Sequence, residues 1–343
     1  MVETRVLAGG SEASIAEAAA AIRAGEPVAF PTETVYGLGA NALDPEAVAR
    51  VFAAKERPSF DPVIVHLADA AGVGDLAIPE DAADPRLRVL ADACWPGPLT
   101  IVLRKRPTVP GIVSAGLETV GLRVPDHPIA RRLIVAAGGP IAAPSANRFG
   151  RVSPTCVEHV IAQLGGRIRL VLDGGPCRVG VESTVISLAG GGALLLRPGG
   201  TPLETIERLI GPLQIPADRP ELRSLGPGRA SSHYAPHTLL ELLATGQGAA
   251  ARPGERLGLL AADDAGRHAA EAAGGPYASI EVLSPSGDGI EAAARLFDAL
   301  HRLDAAGLDR IVAQAVPETG LGRAIMDRLR RAAARGAWGP AEG

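Results

Sequence analysis

Lysine is nearly missing from this chain of 343 residues: only Lys55 and Lys105 stand among its 34 basic side chains. Arginine abundance therefore carries little functional weight, whereas a retained compact ammonium points to a position that wants one. Neither lysine follows a glycine, which excludes the P-loop mode of ATP binding. The three cysteines, Cys94, Cys156 and Cys177, are far apart and odd in number, with no C-x-x-C. Neither a disulfide framework nor a cysteine zinc site is suggested, and the thiols read as small apolar core groups. H-E-x-x-H is absent, and the one histidine pair at ligand spacing, His233 and His237, sits in a proline-bounded segment rather than a clear helix. A net charge of -4 gives no general attraction to nucleic acid or anionic membrane. No uninterrupted apolar run reaches the length of a membrane span, and MVETRVLAGGSEAS lacks the charged-then-apolar pattern of a secretory leader. The expectation is a cytoplasmic protein with no membrane partner.

What is present is a core-forming chain with 47% hydrophobic residues and a length that favours two domains. Strands are expected near Arg5–Leu7 and at Pro27–Phe30, Val63–Leu67, Leu99–Arg104, Thr119–Val124, Pro140–Ala143, Ile168–Asp173, Ser183–Leu188 and Ala193–Arg197. Helices are expected from a Ser11 cap to Arg23, from an Asp44 cap to about Glu56, and near Pro85–Ala93, Pro128–Ala137, Pro154–Leu164 and Pro202–Ile210. Some strands are separated by helices and others by hairpin-length loops, which argues for an α/β domain with a mixed sheet. Residues 211–236, rich in Pro and Gly, read as a linker. Beyond it, Leu257–Ala261, Ser279–Leu283 and Arg310–Ala315 alternate with helical segments that include Glu291–Ala305 and Gly322–Arg335, predicting a small parallel sheet.

The polar residues gather at strand ends. In FPTETVYGLGANAL, residues 30–43, Gly37-x-Gly39-x-x-Ala42 resembles a dinucleotide-binding turn, but six residues intervene between strand and first glycine. They carry the hydroxyls of Thr32 and Thr34, a carboxylate and the Tyr36 phenol, groups suited to gripping a small polar ligand. Lys55 and Arg57 sit together at a helix end stopped by Pro58, where they would either neutralise the helix terminus or hold a polyphosphate. His66 ends one apolar strand and Arg123 another, while Ser145 and Asn147 follow a third. Asp173, Ser183 and Arg197 continue the pattern. Strand carboxyl ends are where open α/β sheets bind ligands, and this set fits a nucleotide plus a small carboxylate.

In PTETVYGLGANA, AAKERP, WPGPLT, GLRVPDHP, PIAAPSAN, GVESTV, LLRPG and HYAP, in that order, the chain resembles the YrdC-like threonylcarbamoyl-AMP synthase family in its longer two-domain form. The resemblance implies a catalytic domain over residues 1–212, with a twisted mixed sheet and helices around a large cavity, a linker or lid over 213–237, and a small Rossmann-like parallel α/β domain over 238–343. It implies an enzyme that condenses L-threonine, bicarbonate and ATP into threonylcarbamoyl-AMP and pyrophosphate. The product would pass to a tRNA threonylcarbamoyl transferase for modification of adenosine 37 in ANN-decoding tRNAs; direct contact with tRNA is left open.

By motif, Thr34, His66, Arg123, Ser183 and the Ala143 backbone would hold threonine. Lys55, Arg57, Asp61, Thr119, Ser145, Asn147, Ser153, Arg197, Ser231 and Tyr234 would surround ATP, with Lys55 and Arg57 offsetting charge that develops on the phosphates. Thr32, Tyr36 and His233 would shape the pocket. Magnesium would arrive bound to ATP rather than in an all-protein site. Two departures stand out. Many relatives place Asn where Asp61 stands, and the linker reads PGRASSHYAP, with Ser231 where relatives usually carry tyrosine. The rival readings are an RNA-binding module on the same fold and a nicotinamide-dependent oxidoreductase. The first meets an acidic charge balance, and the second lacks a ribose-binding acid at the end of the next strand, where His66 stands instead.

Overall fold

The computed structural model describes residues 2–58, 61–215, 234–244 and 247–334. These cluster into two compact units that are discontinuous in sequence. The first takes the chain up to Phe149, then Pro154–Arg178, and then Glu182 to residue 215. The second takes Gly150–Ser153, Val179–Val181 and the described residues from 234 onward.

The first unit is organised on ten strands: β1 (Arg5–Ala8), β2 (Val28–Phe30), β3 (Gly37–Asn41), β4 (Ile64–His66), β5 (Leu99–Arg104), β6 (Thr119–Arg123), β7 (Ile141–Ala142), β8 (Leu170–Asp173), β9 (Thr184–Ser187) and β10 (Leu194–Arg197). They form one mixed sheet in the order β1-β8-β2-β3-β7-β4-β6-β5-β9-β10. Parallel pairs β1/β8, β2/β8, β4/β6 and β5/β9 are combined with antiparallel pairs such as β2/β3 and β5/β6. Strands β2, β4 and β9 are buried along their whole length; β2 is apolar throughout, whereas β4 and β9 also bury His66, Thr184 and Ser187.

Helix Glu12–Arg23 buries Ile15, Ala18, Ala19 and Ile22, the spacing of one helical face, against helix Pro128–Ala137 and strands β2 and β8. Its N-cap is Ser11, but the hydroxyl makes no capping bond. Asp44 does cap, accepting from the Glu46 and Ala47 amides ahead of helix Pro45–Lys55. That helix ends at Glu56 in the left-handed conformation, φ 54°, which turns the chain sharply and sets Lys55 and Arg57 on different partners.

The strand β3 departs from the sequence expectation. Its Gly-x-Gly pattern suggests a turn, yet Gly37–Asn41 runs antiparallel to β2, with Gly39 opposite Val28. The reason is space: a Cβ on Gly39 would lie 2.5 Å from Phe30 Cε1 and 2.6 Å from Ile141 Cγ2. Glycine here admits two core side chains rather than a phosphate.

The second unit holds a parallel four-stranded sheet, β11 (Leu239–Leu243), β12 (Leu257–Ala261), β13 (Ser279–Val282) and β14 (Arg310–Gln314), ordered β11-β14-β12-β13. Helices Asp264–Gly274, Gly289–Ala305 and Gly322–Ala333 connect and cover it. Strand β11 is an addition to the three strands read from the sequence. No described helix is long and apolar enough to cross a membrane.

Candidate functional site

The middle of the large sheet brings four strand ends together. Because β4 and β6 are parallel and adjacent, His66 and Arg123 are register partners, and antiparallel β7 places Ile141 opposite His66. Ala143 follows β7 and donates its amide to the Ile64 carbonyl at 3.0 Å. The segment then runs beside the opening motif: Leu38 N donates to Pro144 O at 2.8 Å, Ala146 N donates to Tyr36 O at 2.8 Å, and Gly37 bridges Ser145. Thus His66, Arg123, Ala143, Ser145 and the segment Thr32–Tyr36 are neighbours through main-chain pairing.

Within Thr32–Tyr36 the local bonds define a rigid turn. Thr32 Oγ1 donates to Val35 O at 2.6 Å and accepts from the amides of Thr34 and Val35, while the two threonine hydroxyls lie 2.8 Å apart. Tyr36 donates its hydroxyl to Gly175 O at 2.8 Å, and burial pushes the phenol pKa well up, so it remains a neutral donor.

Between the threonines stands the carboxylate of the polar segment, for which the family motifs imply no specific contact. Glu33 is 1% exposed, and its Oε1 lies 2.6 Å from Arg123 Nη2, with both side chains buried. Arg123 Nε donates to Gly97 O at 3.1 Å. Beside this pair the imidazole of His66 is pushed down to about 3, first by burial and then by the Arg123 charge, so it is neutral at physiological pH. Its ring meets Phe30 edge-on, with centroids 6.3 Å apart.

The second cluster is cationic. Lys55 Nζ donates to Ser145 O at 2.5 Å and to Asn147 O, and the Phe149 amide closes the loop by donating to Lys55 O at 2.9 Å. Burial, reinforced by the nearby Arg57 charge, holds the Lys55 pKa well below the usual lysine range. Arg57 pairs with Asp61 at 2.9 Å and donates to Pro62 O at 2.9 Å. Its guanidinium lies between the rings of Phe52 and Phe149, 5.7 and 5.8 Å from their centroids. The Asp61 carboxylate, which would oppose a phosphate if left alone, is thus matched by an arginine.

A third cluster joins β5, β9 and β10. Thr100 and Ser183 share a hydroxyl contact at 2.8 Å, and Arg197 Nη2 donates to Ser183 O at 2.9 Å. Thr119 opens β6, opposite Arg104 and four residues before Arg123. Asn147 is buried and donates to Arg148 O at 2.7 Å. Ser153 and Tyr234 belong to the second unit. There His301 Nε2 lies 3.1 Å from Ser153 O, and the Tyr234 ring stacks on Phe297 at 5.6 Å with the Arg328 guanidinium 5.3 Å from its centroid. Ser231 and His233 lie outside the described residues.

Thr100, Glu33, Phe52 and Phe149 were not singled out by sequence reasoning. Thr100 and Glu33 do lie inside the quoted motifs WPGPLT and PTETVYGLGANA, whereas the two phenylalanines carry no sequence signal of their role. A half-open cavity of about 640 Å³ in the same unit, lined by residues including Leu67, Asp69, Arg106, Ile134 and Pro140, contains none of the predicted side chains. Among the described residues no group of three or more His, Cys, Asp and Glu side chains could hold a metal ion.

Residues 20–199 match the family model Sua5_yciO_yrdC, described as telomere recombination, and residues 201–334 match one described as the C-terminal domain of threonylcarbamoyl-AMP synthase. The chain is 46% identical to the threonylcarbamoyl-AMP synthase of Pyrococcus abyssi over 92% of both chains, and 44% identical to that of Bacillus subtilis over 94% of both. The crystal structure of P. abyssi Sua5 complexed with L-threonine superposes with a TM-score of 0.82 at 40% identity, covering 97% of each chain.

Proposed function

The chain belongs to the Sua5/YciO/YrdC family, in the two-domain form of the threonylcarbamoyl-AMP synthases, and on that premise we propose how its residues condense L-threonine, bicarbonate and ATP into threonylcarbamoyl-AMP and pyrophosphate. The observation that carries the residue assignment is the adjacency of two basic clusters beside the segment that follows β7, one on strands β4 and β6 and one at the end of helix Pro45–Lys55. The Arg123–His66 pair suits an amino-acid carboxylate, and Arg57, with Lys55 fixing the Ser145–Asn147 loop beside it, suits a polyphosphate.

Threonine's carboxylate would meet Arg123, and the neutral imidazole of His66 would offer hydrogen bonding without adding charge. Thr34, Ser183 and the Ala143 main chain supply the remaining polar contacts. Bicarbonate loses water to give CO2, threonine's free amine adds to that carbon and releases a proton to solvent, and an oxygen of the resulting carbamate displaces pyrophosphate from the ATP α-phosphorus. Two anions must therefore be held in contact and kept from water. Arg57, already stacked between two phenyl rings, and Arg197, anchored on Ser183, would lower that repulsion, since fixed cations need no reorganisation as charge shifts to the leaving pyrophosphate. Lys55 would hold the loop of Ser145 and Asn147 against the nucleotide.

Magnesium enters this reading on the phosphate oxygens, where it would screen charge. The donor set offered nearby by the described residues is limited, with Asp61 the carboxylate beside Arg57. The labile product fits transfer to a tRNA threonylcarbamoyl transferase in the cytoplasm. The test is pyrophosphate release from ATP by purified protein, with threonine and bicarbonate each omitted in turn. Release that does not depend on threonine would overturn the reading.

A further inference from the structure

We propose that Glu33 is the positioning residue for threonine recognition, holding the Arg123 guanidinium in the one orientation that presents its outer edge to a substrate carboxylate. This rests on the proposed synthase reaction. Arg123 is gripped from two directions: Nε donates to Gly97 O at 3.1 Å, and Nη2 lies 2.6 Å from Glu33 Oε1. Yet the second contact is one of charge rather than aligned bonding, since neither Glu33 oxygen nor Arg123 Nη2 has a hydrogen-bond partner among the described residues. All three atoms are buried, and a buried polar atom left in this way calls for a partner. Nη1 makes no hydrogen bond either among the described residues. The guanidinium is therefore fixed in direction while Nη1 and the Nη2 proton turned away from Glu33 are left on its outer edge, the geometry that a carboxylate completes in bidentate fashion.

Glu33 itself is fixed by the rigid turn on either side, through the Thr32 and Thr34 bonds. Ordering of a long arginine side chain thus precedes substrate binding, so threonine binding does not bear that entropy. The Glu33 charge also balances Arg123 in the unliganded site, which keeps the guanidinium from turning toward other anions.

The experiment compares wild type, Glu33→Gln and Glu33→Asp by steady-state pyrophosphate release, with the thermal midpoint of each. Gln keeps the shape and removes the charge; Asp keeps the charge and shortens the reach. The expected result is a rise in threonine KM of about tenfold or more in Glu33→Gln, with ATP KM within about twofold of wild type and partial recovery in Glu33→Asp. A folded Glu33→Gln with wild-type threonine KM overturns the proposal, as does an equal rise in both KM values, the mark of a merely structural role. If Glu33→Gln does not fold, Glu33→Asp decides, because the shorter side chain must still raise threonine KM alone. Failure of the synthase reading would appear instead in wild type, as threonine-independent turnover.

Discussion

Lys55 and Ser145 lie 90 positions apart, yet Lys55 Nζ donates to the Ser145 carbonyl oxygen at 2.5 Å. The Asn147 carbonyl is its second acceptor. This lysine has a structural role beside the one proposed for it in turnover, because its ammonium satisfies two main-chain acceptors of the loop that follows β7.

Lys55→Ala is therefore expected to lose turnover and also about 2–4 kcal/mol of stability, since two acceptors lose a charged donor. Lys55→Met, which retains the aliphatic stem, should recover part of the packing without recovering turnover. Denaturant unfolding and pyrophosphate release separate the two effects; a Lys55→Ala variant as stable as wild type would contradict the structural role.

His66 makes the first unit acid-sensitive. Its folded-state pKa of about 3 lies below the ordinary 6.5, so the folded state keeps the ring neutral while the unfolded chain takes up a proton below pH 6.5. The stabilisation is complete above that pH and is lost as pH falls toward 3. By about pH 5 the loss is ~2 kcal/mol. His66→Gln should flatten the dependence of unfolding free energy on pH between these values, and an unchanged acid slope would count against the assignment.

If Arg57 meets phosphate as proposed, Asp61 would compete for it through their 2.9 Å ion pair. Asp61→Asn leaves a hydrogen-bonding side chain but removes the charge, so ATP KM is expected to fall several-fold, by roughly 1 kcal/mol of binding. Calorimetric titration with ATP, with and without magnesium, checks it. Weaker ATP binding only in the presence of magnesium would instead make Asp61 a metal ligand.

Gly199 is required for space. A Cβ there would stand 2.3 Å from both Ser183 C and Thr184 N, backbone atoms that cannot swing aside. Gly199→Ala should cost about 3 kcal/mol and displace Ser183, raising threonine KM. Gly192, with nothing within 4 Å of its built Cβ, is the control, and Gly192→Ala should change stability by less than about 0.5 kcal/mol. Equal melting temperatures for the two variants would refute the packing argument.

Periodicity made much of the fold legible. Strands Leu99–Arg104 and Leu257–Ala261 and helix Pro128–Ala137 fall where the apolar pattern places them, because each buries one continuous run or one helical face. Two strands were not legible. Gly37–Asn41 has glycines where a strand signal needs side chains, and it is a strand because Phe30 and Ile141 close over it. Leu239–Leu243 pairs with Arg310–Gln314, so its conformation depends on a segment about 70 residues away.

The site divides in the same way. By itself the sequence determined which chemical groups are present: a cation pair without a P-loop, hydroxyls and an arginine at strand ends, and motifs that carry a family resemblance. Only the tertiary structure decided their partners, Glu33 with Arg123, Asp61 with Arg57, Thr100 with Ser183 and Lys55 with two carbonyls. The physical reason is that local propensity acts over a few residues, whereas most of these charge and hydrogen-bond pairings form between groups that only sheet order brings within 3 Å of each other.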